Sequence, residues 1–279
     1  MNLPKLPIGR GIEALEAWME DQFGPIFDFI RIIIGSLVDF IHMALNSGPS
    51  LLMIALLTVL TWFLGKWKLA SFALIGLLLI DNLGYWDNAM ETLSIVLSAS
   101  LLSIVIGVPL GILCARSGLI QGIVTPVLDF MQTMPAFVYL LPAVSFFSLG
   151  VVPGVIASII FAVPPTIRLT NLGIRQVPGE LVEAADAFGS TPNQKLFKLQ
   201  LPIALPTMMA GINQTIMLSL SMVVISSMIG AQGLGADVYR AVTQTKTGTG
   251  FEAGISIVVL AILLDRMTQK MVNKNKRQR

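Results

Sequence analysis

Seven apolar runs, each near the length that crosses a bilayer, leave this chain few ways to fold; they cover approximately 50–65, 68–84, 92–115, 123–148, 152–170, 205–230 and 252–269. A helix that traverses the hydrocarbon needs about 20 mostly apolar residues, within roughly 17 to 25. The first run is the shortest. Lipid offers backbone N–H and C=O groups no partner, so only helices and closed barrels span it. Runs this long and uniformly apolar lack the alternation of barrel strands. The expected fold is therefore all-α, a polytopic transmembrane helical bundle. Charge content agrees, at 12% of residues against roughly 25% in soluble domains.

Orientation follows from Lys and Arg, which accumulate on the cytoplasmic side of membrane proteins. If the seven runs alternate, Lys66 and Lys68, Arg116, the group Arg168, Arg175, Lys195 and Lys198, and the tail Arg266, Lys270, Lys274, Lys276, Arg277 and Arg279 share one side. That side is expected to face the cytoplasm. Asp81, Asp87 and Glu91 gather at the other, with Tyr85 and Trp86 where an interfacial aromatic belt would sit. Arg240 and Lys246 are exceptions to this asymmetry. The positive charge lies mainly in short loops and the tail, which argues against a nucleic-acid partner.

Three regions result: 1–49, a transmembrane domain over 50–270 and a basic tail over 271–279. Within the first, Asp28, Arg31, Asp39 and His42 fall on one helical face of the apolar stretch 26–45. Such a stripe favours an amphipathic helix in the membrane interface over an additional span with its polar face turned to the bundle. His42 is the sole histidine, so no second one exists to build a metal site with it. The lone Cys114 cannot form an intrachain disulfide, and the N-terminus lacks the contiguous apolar segment of a removable signal peptide. No internal repeat or low-complexity stretch is visible.

The longest stretch between runs on the cytoplasmic side is 171–203, NLGIRQVPGELVEAADAFGSTPNQKLFKLQLPI. Pro178 suits a first helical turn, and Glu180 and Glu183 complement the positive end of the helix dipole. Leu181, Ala184, Ala185 and Phe188 line one side at three and four spacing, and Gly189 follows where a left-handed residue ends a helix. Thr191, Pro192 and Gln194 then form a capping-box pattern that launches a second helix, expected to stop at Pro202. The product is a helix, turn and helix: a rigid knob.

Glu183, Ala184 and Ala185, then Gly189, then Leu199, Leu201 and Pro202 resemble the EAA motif, E-A-A-x(3)-G-x(9)-I-x-L-P, of bacterial ABC importer permeases. Leu199 replaces the usual Ile, a conservative apolar exchange. In that family the loop holds the coupling helix that docks on the ATPase subunit. The resemblance implies that Ala184, Ala185 and Phe188 lie at that contact, with Glu183 a polar anchor and Gly189 permitting the turn. It extends over roughly 50–270, where DNLGYWD at 81–87, LDFMQTMPAFVYLLPA at 128–143, GVVPGVIASIIFAVPPTIRLT at 150–170 and AGINQTIMLSLSMVVI at 210–225 are similar to the glycine betaine and proline (osmoprotectant) branch. The implied fold is that of a type I ABC importer permease in the bacterial cytoplasmic membrane. The implied partners are two ABC ATPase subunits carrying ATP and Mg, a lipid-anchored or periplasmic substrate-binding protein and a second permease copy. No binding domain is expected within this chain.

Other polar features are open to more than one role. Asp129 and Arg168 fall at similar depth near the cytoplasmic ends of their runs, as an intramembrane pair or as two groups snorkelling separately. Pro126, Pro135, Pro142, Pro153, Pro164 and Pro165, with Gly107, Pro109 and Gly111, punctuate the central runs. They kink helices and let a bundle rock, or serve packing alone. Trp62, Trp67 and Trp86 sit at run ends, as interfacial anchors rather than a cation–π cage. The chain has no G-x-x-x-x-G-K-[ST] phosphate loop, no nucleophile and base set and no metal-ligand cluster. Hydrolysis would come from a partner, and no cofactor is expected in the chain itself. A permease for another small solute, or an ion-coupled secondary transporter, remains the alternative.

Overall fold

The computed structural model describes residues 7–277, and helices follow one another through them with short connections. They are α1 (Ile8–Leu45), α2 (Ser50–Asn82), α3 (Trp86–Arg116), α4 (Gly118–Thr133), α5 (Leu140–Phe147), α6 (Val151–Arg175), α7 (Gly179–Ala187), α8 (Pro192–Lys195), α9 (Leu201–Ser226), α10 (Leu234–Thr243) and α11 (Thr247–Arg277). Of the expected basic tail, 271–277 continue α11 and Arg279 lies outside the described residues. Among the described residues, five helices are long and apolar enough to cross a membrane, and a sixth crossing arises if the bent pair formed by α4 and α5 counts as one.

The α2 helix hides a reversal. A straight helix of 33 residues would be about 50 Å long, yet Ser50 at its start and Asp81 at its end line the same small pocket of about 360 Å³. Lys66, with φ 60° and ψ −164°, breaks the helical path between them. The two halves therefore run out and back, which matches the separate runs 50–65 and 68–84.

At the centre, α6 lies between α3 and α9, and side chains too small to hold backbones apart fill both seams. A Cβ on Gly211 of α9 would stand 2.9 Å from the Pro165 carbonyl oxygen of α6, so only glycine allows this approach. Buried hydroxyls join the same seam: Thr166 and Thr215 share a hydrogen bond of 2.7 Å, and Thr215 also lies 2.7 Å from the Ala162 carbonyl oxygen. With no water in a bilayer core, satisfying these groups internally is what makes them tolerable. Ile95, Val96 and Ala99 of α3, Val155 of α6 and Val223 of α9 are fully buried in one cluster between the same three helices.

One expected span departs from a simple crossing. The run 123–148 divides into α4 and α5, set at 107° to each other, with a single 3₁₀ turn (Ala136–Tyr139) between them. Met134 and Pro135 adopt extended ψ angles of 139° and 133° there. Pro135 supplies no N–H and forces the residue before it out of the helical region. The Tyr139 hydroxyl donates to the Met131 carbonyl at 2.6 Å, satisfying one carbonyl that the break frees.

The α1 helix begins far earlier than the apolar stretch 26–45 suggested, at Ile8, and carries Pro25 in its interior. Phe27 stacks on Phe146 of α5 at 4.5 Å, Gly35 lies against Val152 of α6, and the Asn46 amide just past the helix approaches Asp87 of α3 at 3.4 Å. Phe27 and Asn46 are about 28 Å apart along a helix, yet every partner sits at the same end of the bundle, the one where Asp81 and Asp87 gather. This part of α1 thus runs across the acidic end.

Candidate coupling site

At the opposite, basic end, residues 179–200 project as a knob whose shape is set by local chain chemistry. The α7 helix closes with two reverse hydrogen bonds, Ser190 N–H to the Ala185 carbonyl at 3.0 Å and Gly189 N–H to the Asp186 carbonyl at 2.9 Å. That pairing is a Schellman motif, which needs a left-handed residue at the first of its two donors. Gly189 provides it with φ +74°. Thr191 starts α8 with a complete capping box: its hydroxyl accepts from the Gln194 N–H at 3.3 Å, and the Gln194 side chain accepts from the Thr191 N–H at 2.9 Å.

The knob is then tied internally and to the bundle. Lys195 of α8 bridges both carboxylate oxygens of Asp186 on α7 at 2.7 Å. Arg116, the last residue of α3, donates to the Asn193 side chain at 2.9 Å. Arg175, the last residue of α6, donates to the Cys114 carbonyl at 2.9 Å and so fastens α6 to the same end of α3. Leu196 is buried with Ile174, Ala204 and Met208, seating the knob between α6 and α9. Movement of the knob must therefore reach α3, α6 and α9.

Each residue expected here has a definite place. Glu183 and Ala184 are exposed, Ala185 is half-buried, and Phe188 is 91% exposed. Phe197 is 64% exposed, a second apolar group left uncovered. Leu199 and Pro202 are half-buried at the base. The second helix does not stop at Pro202, as the sequence suggested. It widens into a π turn over Leu196–Gln200, with the Leu201 N–H bonding to the Leu196 carbonyl, and Pro202 then enters the first turn of α9. Proline lacks an N–H and clashes with the carbonyl four residues back, and the wider turn absorbs both defects. Knob and span are consequently one continuous lever.

The Asp129 and Arg168 side chains meet at 2.5 Å between α4 and α6. Both are partly exposed, which limits such a pair to about 0–1 kcal/mol when water reaches it. The ties through Arg116, Asn193, Asp186 and Lys195 were not singled out from sequence, because none lies at a helical spacing from its partner.

At the acidic end, α10 is held to α3. The Leu234 N–H donates to the Thr92 hydroxyl at 2.8 Å, and the Asn88 amide bonds to Asp237. Burial, followed by the charges of Asp237 and Glu252, pushes the Tyr85 phenol above its ordinary pKa. The phenol keeps its proton and can donate to the Thr249 carbonyl at 3.4 Å.

Comparison with known proteins matches residues 107–277 to the family described as binding-protein-dependent transport system inner membrane component. Over 275 residues the chain is 55% identical to the glycine betaine transport system permease protein OpuAB of Bacillus subtilis (strain 168), covering 99% of this chain and 98% of that protein. It is 56% identical over 279 residues to the glycine betaine/carnitine transport permease protein GbuB of Listeria monocytogenes serotype 1/2a (strain 10403S), covering 99% of each. Among solved structures, an inward-facing MetNI methionine ABC transporter has a chain that superposes with a TM-score of 0.63 at 22% identity, covering 68% of this chain and 95% of that one. That likeness is one of fold.

Proposed function

We propose that this chain, which belongs to the family of binding-protein-dependent transport system inner membrane components, carries glycine betaine or a closely related quaternary amine into the cell. The observation that supports this cargo is identity above one half, maintained along almost the whole chain, to permeases named for glycine betaine. A multi-pass importer permease of this kind has no chemistry to perform on its cargo. Its work is to alternate a path between the two faces of the membrane.

The drive enters through the knob. Two ATPase subunits, binding ATP and Mg, would each receive one permease knob, with Phe188, Ala184 and Ala185 in an apolar groove and Glu183 at its polar margin. An exposed Phe beside a turn fixed by the Schellman motif of α7 and the capping box of α8 fits that role, because a rigid anchor loses little entropy on docking. The continuity of knob, π turn and α9 carries the motion inward. A second copy of the chain completes the path, and a substrate-binding protein delivers cargo at the acidic face. There, α1 would lie in the membrane interface, with the exposed Ile12, Leu15, Trp18, Phe29 and Phe40 offered to lipid.

Uptake of radiolabelled glycine betaine by vesicles containing the permease, its ATPase and its binding protein tests the cargo, with carnitine, choline and proline as competitors at high osmolarity. ATP-dependent uptake displaced by unlabelled betaine is expected. Uptake that betaine fails to displace would reassign the cargo to another small solute.

A further inference from the structure

Lys246 breaks the charge asymmetry of this chain, standing at the acidic end, where Arg31 of α1 also lies. Arg240 breaks it too, but is occupied: it lies 3.6 Å from Asp237 and donates to Gln232 at 3.3 Å. Lys246 makes no ion pair among the described residues. It sits between α10 and α11, just after Thr245, whose φ of 57° turns the chain from one helix into the other.

Below Lys246 opens a groove of about 570 Å³, walled by Val238, Ala241 and Val242 of α10 and by Phe251, Ile255 and Val258 of α11. Its floor is made by Gly250 and Gly254, and a Cβ added at Gly254 would meet nothing within 4 Å. Phe251 is 70% exposed and Val242 72%. Along α11 the lining descends from Lys246 at the aqueous end into the apolar span. Glu252 belongs to the other side of this helix, near Tyr85, so no carboxylate lines the groove.

A cation at the mouth, hydroxyls of Thr245 and Thr247 beside it and only apolar groups below match one amphiphile in charge and in polarity. We infer that this groove holds an anionic phospholipid of the outer leaflet, its phosphate on Lys246 and one acyl chain along Gly250, Gly254 and Val258. A basic residue near an anionic headgroup is worth about 1 kcal/mol, or roughly fivefold in affinity. The lipid would brace α10, which is also tied to α3 through Thr92.

Native mass spectrometry of the delipidated full-length chain, titrated with phosphatidylglycerol or phosphatidylcholine, tests this without requiring transport. Wild-type protein is expected to bind one phosphatidylglycerol per protomer with about fivefold preference over phosphatidylcholine. Lys246→Gln should abolish the preference while retaining a bound lipid. Gly254→Phe, entering open space, should exclude lipid of either headgroup from the site while the protein stays monodisperse. Equal wild-type affinity for both lipids, or unchanged binding in both variants, overturns the inference. So does efficient disulfide formation between Phe251→Cys residues of two protomers, which would give the groove to a second copy.

Discussion

Gly211 and Phe188 mark two regions built on opposite terms. In the seam of α3, α6 and α9, backbones close to within contact of one another, and the Thr166 and Thr215 hydroxyls, which would be costly in lipid, find partners across the helices. In the knob, the large apolar side chain of Phe188 stays in water, and the fold is held by a Schellman turn, a capping box and one ion pair. The core owes its stability to burial. The knob owes its shape to local geometry, which leaves its apolar surface available to something else. A region that must be recognised from outside cannot use its recognition residues to hold itself together.

That contrast breaks most severely at Gly211. Gly211→Leu would drive a side chain into the Pro165 carbonyl, and overpacking costs about 1–3 kcal/mol or more. The amount of folded chain in the membrane, read by detergent-extracted size exclusion, should fall sharply. Gly189→Val tests the other side, because a β-branched residue at positive φ costs roughly 1–3 kcal/mol and the strain is confined to the knob. Membrane insertion should be normal, whereas ATP hydrolysis stimulated by cargo in reconstituted vesicles should be lost. Normal stimulated hydrolysis would remove Gly189 from the coupling role.

Smaller effects sharpen the division. Thr191→Ala removes one cap, worth about 1 kcal/mol, and should reduce coupled hydrolysis partially without changing the thermal midpoint of the bundle. Exchanging Asp129 and Arg168 should restore most of the transport that either single reversal removes, if the pair joins α4 to α6. Each change in stability there should remain below about 1 kcal/mol, read as a thermal shift.

Much of this was legible in the chain. Lys66 and Lys68 flank the end of one apolar run and the start of the next, and the helix reverses there. Thr191, Pro192 and Gln194 carry the capping box in their spacing alone. Three features were not legible. Pro135 resembles the other prolines of the central spans, yet only there does the helix turn through 107°, because a proline's effect depends on whether neighbouring helices bridge the carbonyls it frees. Pro202 looked like a terminator, and the π turn that carries the chain past it leaves no pattern in residue type. The ties from Arg116 to Asn193 and from Arg175 to Cys114 bring together residues distant in sequence, which spacing does not reveal.

The docking role proposed for the knob is tested most directly at Phe188. Its side chain supports almost nothing within the chain, so Phe188→Asp should leave folding and insertion unchanged. Affinity purification of the permease from membranes containing the ATPase should recover the ATPase with the wild type and lose it with Phe188→Asp at equal permease yield. Full recovery with the variant, together with undiminished ATP-driven uptake, would contradict the assignment of the knob as the place where the ATPase docks.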